Sequence, residues 1–97
     1  MNRKSKMLKS KGMFVVLNDK GLHTRPSTEL VKCAARFNAQ IHLTYRSHVV
    51  NAKSLLGILM LAAEKGAKIQ IEAIGEDAEE AILALQKLAM RRFNISY

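Results

Sequence analysis

The chain has no tryptophan, a single cysteine, a single proline, and only two tyrosines and three phenylalanines. Each shortage excludes something. A lone Cys33 rules out an internal disulfide, so cysteine usage does not constrain the redox compartment. Three histidines and one cysteine, with no ligand-like spacing among them, give no basis for a metal site. So few aromatics, none of them paired along a strand, argue against the base-stacking surface of an RNA-binding sheet, and no Gly-x-x-Gly backbone clamp is present. No apolar run approaches the length that crosses a bilayer. The basic start lacks the apolar stretch and small-residue cleavage site of a secretory signal. A cytoplasmic protein without membrane insertion and without a cofactor is the expectation.

What is present fits one small domain. At 97 residues, 48% hydrophobic and 25% charged, the chain is ordinary globular material with enough apolar surface for a modest core. Its net charge of +8 invites a nucleic-acid reading. The distribution weakens it. Arg3, Lys4, Lys6, Lys9 and Lys11 stand together with no acid among them, and without those five cations the rest carries +3. Residues 1–12 read as a flexible basic tail and residues 13–97 as the folded domain. The rival reading, a small basic RNA-binding module, predicts salt-sensitive binding that is lost with the tail.

Hydrophobic spacing orders the elements. Met13 to Leu17 is an apolar run of strand length, and Asn18 to Gly21 is a turn cluster. Leu30, Val31, Ala34 and Phe37 recur at helical spacing behind Pro26, which is at home in a first turn, so a helix is expected over Thr24 to Phe37. Ile41 to Tyr45 alternates as a half-buried strand does. Arg46-Ser47 reads as a tight turn, with His48 to Ala52 as the hairpin partner. Ser54 opens a short, very apolar helix from Leu55 to Leu61. Lys68 to Ile74 alternates cleanly. Asp77 and Glu80 form a capping-box-like pair ahead of a last helix with Ile82, Leu85, Leu88 and Ala89 inward. The order β-α-β-β-α-β-α makes a two-layer α+β sandwich.

Chemistry has few places to sit. His23 falls between a turn and a helix start, where unpaired backbone N–H groups and the positive end of the helix dipole favour an anion. Imidazole is a competent nucleophile near neutral pH, and Arg25 offers a fork of donors to phosphate oxygens. A phosphoryl group taken up by His23 would meet both. The bland alternative is a surface histidine at a helix start, and position alone does not separate the two. Ser54 is ordinarily a helix cap; its functional reading is a phosphorylation site beside an apolar surface. Leu55, Leu56, Ile58, Leu59, Met60 and Leu61 cannot all face inward on one short helix, so part of that surface is expected to be exposed for a partner. His42 should face solvent, His48 lies at a hairpin, and Cys33 reads as packed rather than reactive.

Together these residues resemble the HPr family, the histidine-containing phosphocarriers of the bacterial phosphotransferase system. The resemblance rests on Gly21-Leu22-His23-Thr24-Arg25-Pro26, followed by Asn51-Ala52-Lys53-Ser54-Leu55-Leu56-Gly57 and the Lys65-Gly66-Ala67 turn, within the same element order. It implies an antiparallel four-stranded sheet with three helices on one face, and a carrier rather than an enzyme. It implies that His23 accepts a phosphoryl group, on Nδ1, from phospho-Enzyme I charged by phosphoenolpyruvate, and passes it to a sugar-specific Enzyme IIA. Arg25 matches the arginine that helps hold the phosphate. Ser54 matches the serine that a dedicated HPr kinase/phosphorylase modifies in Gram-positive-type relatives. Docking would use Thr24, Thr28, Lys32, Leu55, Leu56 and Leu59, and the protein would act as a monomer. Thr24 stands where the family usually has alanine. Glu29, the basic tail and Arg91-Arg92-Phe93 are also departures, and they bear on the choice of partners more than on the carrier chemistry. The remaining rival is a regulatory protein that works through Ser54 while His23 stays idle.

Overall fold

The computed structural model describes residues 8–97. It contains β1 (Lys9–Val15), α1 (Thr24–Ala35), β2 (Gln40–Tyr45), β3 (His48–Asn51), α2 (Leu55–Met60), β4 (Lys68–Ile74), α3 (Ala78–Met90) and a short 3-10 turn at Arg92–Asn94. The four strands form one sheet in the order β1-β4-β2-β3, every pair antiparallel. This is the expected open-faced α+β sandwich.

Register decides which face is buried. Phe14 lies opposite Ile69, and Leu43 opposite Ile71 and Val50, so these side chains share a face. Ile41, Leu43, Ile69, Ile71 and Ala73 on that face are buried. They meet Leu30, Cys33 and Ala34 of α1, Ile58 of α2, and Ala81, Ile82, Leu85 and Leu88 of α3 in one core. The opposite face carries Lys9, Lys11, Met13, Lys68 and Gln70, all exposed. His42 lies on that open side and is half-buried between Glu72 and Asn51 in the register, while His48 opens β3 in the exposed class. Arg46 and Ser47 both take positive φ (50° and 71°), the backbone that a tight hairpin turn requires. Cys33 is buried, and that burial pushes its thiol pKa up, against the pull of Arg36 and Arg91.

Several element ends fall a residue or two short of expectation, α1 closing at Ala35 rather than Phe37 among them, and two larger differences have a physical cause. The first strand begins at Lys9 rather than Met13, so Lys9 and Lys11 belong to the sheet and not to a tail; Lys9 Nζ lies 3.3 Å from Glu72 Oε2. The inward positions Ser10 and Gly12 hid the alternation. Gly12 is small because α3 crosses there: a Cβ would sit 2.7 Å from Ile82 Cγ2. The rest of the expected tail, residues 1–7, lies outside the described residues. The second difference is Asp77, which makes no capping bond to α3. Its two carboxylate oxygens instead accept from the amides of Asn38 and Ala39, each at 2.8 Å. The turn after α1 leaves those amides without helical partners, and they outcompete the capping geometry. The Asn38 bond is the leading cause that holds the Asp77 carboxyl below its usual range.

Candidate functional site

The site is built from the turn that delivers the chain into α1. Gly21 has φ +69°, and a Cβ there would meet the Ala63 carbonyl oxygen at 2.3 Å, so only glycine fits. The Gly21 amide bonds Asn18 O and the Leu22 amide bonds Ala63 O, both at 2.9 Å, while the Leu22 side chain is buried. Ser27 is buried and donates its hydroxyl to Leu22 O at 2.9 Å. These contacts fix the backbone on both sides of His23.

His23 is the N-cap of α1 by its backbone, extended at φ −77° and ψ −171°, and its carbonyl accepts the first helical bond from Ser27 N at 3.0 Å. Its side chain makes no capping bond. Pro26, third in the helix, has no N–H to be capped. The amides of Thr24 and Arg25 have no partner among the described residues. No carboxylate occupies the first turn. Glu29 pairs with Lys32 at 3.4 Å, and Asp19 with Lys65 at 3.2 Å. Lys20 and Arg25 are both exposed, so the local field is positive.

The imidazole itself is half-buried, with Nε2 enclosed and without a hydrogen-bond partner. Tyr97 stacks on it, the ring centroids 5.4 Å apart and the planes 20° from parallel. Arg25 Nη1 donates to the Tyr97 phenol oxygen at 2.8 Å, and Lys20 Nζ lies 5.2 Å from the Tyr97 ring centroid. Tyr97, Lys20 and the buried Asn18 were not singled out from the sequence. The signal available for Tyr97 was weak: one aromatic in a chain with few of them. Asn18 had only its place in a turn cluster.

Ser54 begins α2 and caps it, its hydroxyl oxygen accepting from the Gly57 amide at 3.0 Å. The next residue back, Lys53, donates Nζ to Phe37 O at 2.6 Å and so ties the end of α1 to the start of α2. Beyond Ser54 the apolar surface divides as expected. Ile58 and Leu61 are buried, Leu59 is half-buried, and Leu55, Leu56 and Met60 are exposed, the last two at 69% and 73%. On α1, Thr24 and Lys32 are exposed and Thr28 is half-buried, its hydroxyl donated to Thr24 O. The structure thus joins Arg25 to His23 through Tyr97. No hydrogen bond or ion pair links Ser54 to either among the described residues. A shallow groove of about 690 Å³ runs between α1 and α3, past Lys32, Arg36, Lys87 and Arg91, and does not include His23. The histidine stays half-buried, with exposed Thr24 and Arg25 beside it.

Residues 11–91 match the family described as "PTS HPr component phosphorylation site". The chain belongs to the HPr family. It is 39% identical over 81 residues to the phosphocarrier protein HPr of Xylella fastidiosa, covering 84% of this chain and 91% of that one. The crystal structure of HPr-C-His from Thermoanaerobacter tengcongensis superposes with a TM-score of 0.86 at 35% identity, over 91% of this chain and 99% of the other. The phosphocarrier protein HPr from Bacillus anthracis gives 0.78 at 39% identity, over 81% and 94%. HPr proteins are phosphocarriers of the phosphotransferase system that serves sugar transport, and this chain is a carrier of that kind rather than an enzyme. Among the described residues no helix is long and apolar enough to cross a membrane.

Proposed function

We propose that His23 accepts a phosphoryl group from phospho-Enzyme I, originating in phosphoenolpyruvate, and passes it to a sugar-specific Enzyme IIA in the cytoplasm. The observation that carries this is the uncapped start of α1: an imidazole with the free amides of Thr24 and Arg25 beside it and no carboxylate in the turn. Nε2 is enclosed, which leaves Nδ1 for attack. In the transfer the Nδ1 lone pair forms the new N–P bond. The donor's P–N bond breaks, and its electron pair returns to the donor nitrogen. The same step in reverse, with Enzyme IIA as acceptor, discharges the carrier.

A phosphoryl carrier must hold its cargo only moderately. The helix terminus contributes about 0.3–1 kcal/mol at an exposed site, and a hydrogen bond to a charged group about 1.5–3 kcal/mol. A few such contacts on an open surface suit reversible loading better than a dry cage would. The partner then supplies alignment, which is most of what phosphoryl transfer needs. Docking falls to Thr24, Thr28 and Lys32 on α1 and to Leu55, Leu56 and Leu59 on α2, where exposed apolar surface adjoins polar residues.

Incubation with phosphoenolpyruvate and Enzyme I tests the reading. Wild type acquires an acid-labile phosphoryl group and His23→Ala acquires none. Absence of the group from wild type, or its persistence in the variant, overturns the assignment. Ser54 carries the second part of the proposal, modification by an HPr kinase/phosphorylase that damps transfer. Its support is a half-buried cap between Lys53 and exposed Leu55 and Leu56. Treatment with that kinase should label wild type and leave Ser54→Ala unlabelled; equal labelling of both sinks it.

A further inference from the structure

The chain does not leave the body after α3. Arg92, Phe93 and Asn94 take left-handed backbone, with φ of 55°, 55° and 62°, a conformation unfavourable for residues with a Cβ. The reversal is held from inside. Phe93 is fully buried, edge-on to Phe14 with ring centroids 5.8 Å apart, and Ile95 is buried as well. Asn18, itself fully buried, donates its amide to Arg92 O at 2.9 Å and to Ile95 O at 3.4 Å. The segment so anchored ends on the functional site. Its Tyr97 ring lies against His23, and its phenol oxygen takes a hydrogen bond from Arg25.

We infer that Tyr97 is a positioning residue for phosphoryl transfer: it engages Arg25 and Lys20 while His23 is unloaded and yields them when the phosphoryl group arrives. The inference rests on the reading of His23 as the acceptor. Both cations lie over the Tyr97 ring, Lys20 Nζ at 5.2 Å and Arg25 Cζ at 5.7 Å from its centroid. A phosphoryl group on His23 brings strong acceptor oxygens within reach of the same cations. The phenol holds Arg25 by Nη1, so turning that edge of the fork onto the phosphoryl group gives up the bond to the phenol. Tyr97 therefore lowers the net hold on the phosphate, because the cations leave one partner to take the other. The stacked ring also covers one face of the imidazole before loading.

Two variants separate the parts. Tyr97→Phe keeps the ring and loses the oxygen; Tyr97→Leu loses both. Phosphoryl distribution between Enzyme I and the carrier is measured at equilibrium, alongside the NMR shifts of the His23 ring protons. Tyr97→Phe should shift the distribution toward the loaded carrier by about 3- to 10-fold, the net value of an ordinary hydrogen bond at an exposed site. That shift should vanish when Arg25 is already alanine, a coupling that a merely structural role would not produce. The ring-current displacement of the His23 protons should survive in Tyr97→Phe and disappear in Tyr97→Leu. Loading of all three proteins to the same equilibrium, or a shift in Tyr97→Phe toward unloaded carrier, overturns the role of Tyr97 and leaves the carrier reading standing. Failure of wild type to load at all overturns both.

Discussion

His23 and Ser54 hold the same station in their helices. Each is the extended N-cap residue, and each carbonyl accepts the first bond of the helix. Their side chains behave in opposite ways. Ser54 turns its hydroxyl onto the Gly57 amide and closes the end of α2. The imidazole leaves the end of α1 open, and Pro26 occupies the place where a third-residue amide would have called for a cap. The amides of a helix end serve either as partners for a cap or as donors for an incoming anion. The α1 start leaves them uncapped, and its backbone is fixed by other means: Ser27 to Leu22, Leu22 to Ala63, and the anchored segment behind Tyr97. The α2 start is maintained locally; the α1 start is maintained from a distance.

Variants can break or sharpen this contrast. The largest effect is expected at the remote anchor. Phe93→Ala should cost about 3–5 kcal/mol in urea unfolding and should move the His23 ring-proton signals while the Gly57 amide signal stays in place. Movement of both, or of neither, removes the distinction between remote and local support. Next is Arg25→Ala, expected to slow loading from phospho-Enzyme I by about 10- to 100-fold, as befits one lost charge-assisted contact. A rate within twofold of wild type would mean that the amides suffice alone. The two helix starts can then be compared directly. Ser54→Ala should lose about 1 kcal/mol of stability, whereas His23→Ser should gain no more than about 0.5 kcal/mol, since only the Arg25 amide remains to be capped. Equal changes of the same sign would show that the two ends do not differ.

The smallest effect at neutral pH concerns Asp77. Its carboxyl titrates below the usual range in the folded protein, chiefly because Asn38 N–H bonds the ionised form. Its contribution is therefore complete above the ordinary carboxylate range and drains away as pH falls through the lower folded-state value. Thermal melts between pH 6 and pH 2 should show wild type losing stability on acidification more steeply than Asp77→Asn. Parallel curves would deny Asp77 its part in holding the turn.

Local patterns carried most of the architecture. The alternation of Lys68 to Ile74, the helical spacing of Leu30, Val31 and Ala34, and the Arg46-Ser47 turn are short-range regularities, and all appear in the structure. The same holds for His23 and Ser54 at helix starts and for the divided apolar surface of α2. What escaped depends on contacts between distant segments. Ser10 and Gly12 look like tail residues until α3 is laid across them. Asp77 looks like a cap until the turn after α1, 38 and 39 residues away in sequence, claims its oxygens. Asn18 and Arg92 are separated by 74 residues, and Arg25 and Tyr97 by 72, far beyond the reach of any periodicity.

The fit at Gly21 has a mechanical consequence. The loop beneath His23 rests without clearance on the backbone at Ala63 and Glu64, just past the C-terminal end of α2, and the Leu22 amide is pinned to the same carbonyl. On the proposed docking at α2, a partner that grips Leu56 takes hold of the helix whose end supports the loop beneath the imidazole. Handle and proposed reactive atom would then share one frame, and the alignment set by docking would reach the ring with little slack. In-line transfer tolerates small errors in angle and distance poorly. On the proposed reading, the grip and the cargo point stand on the same support.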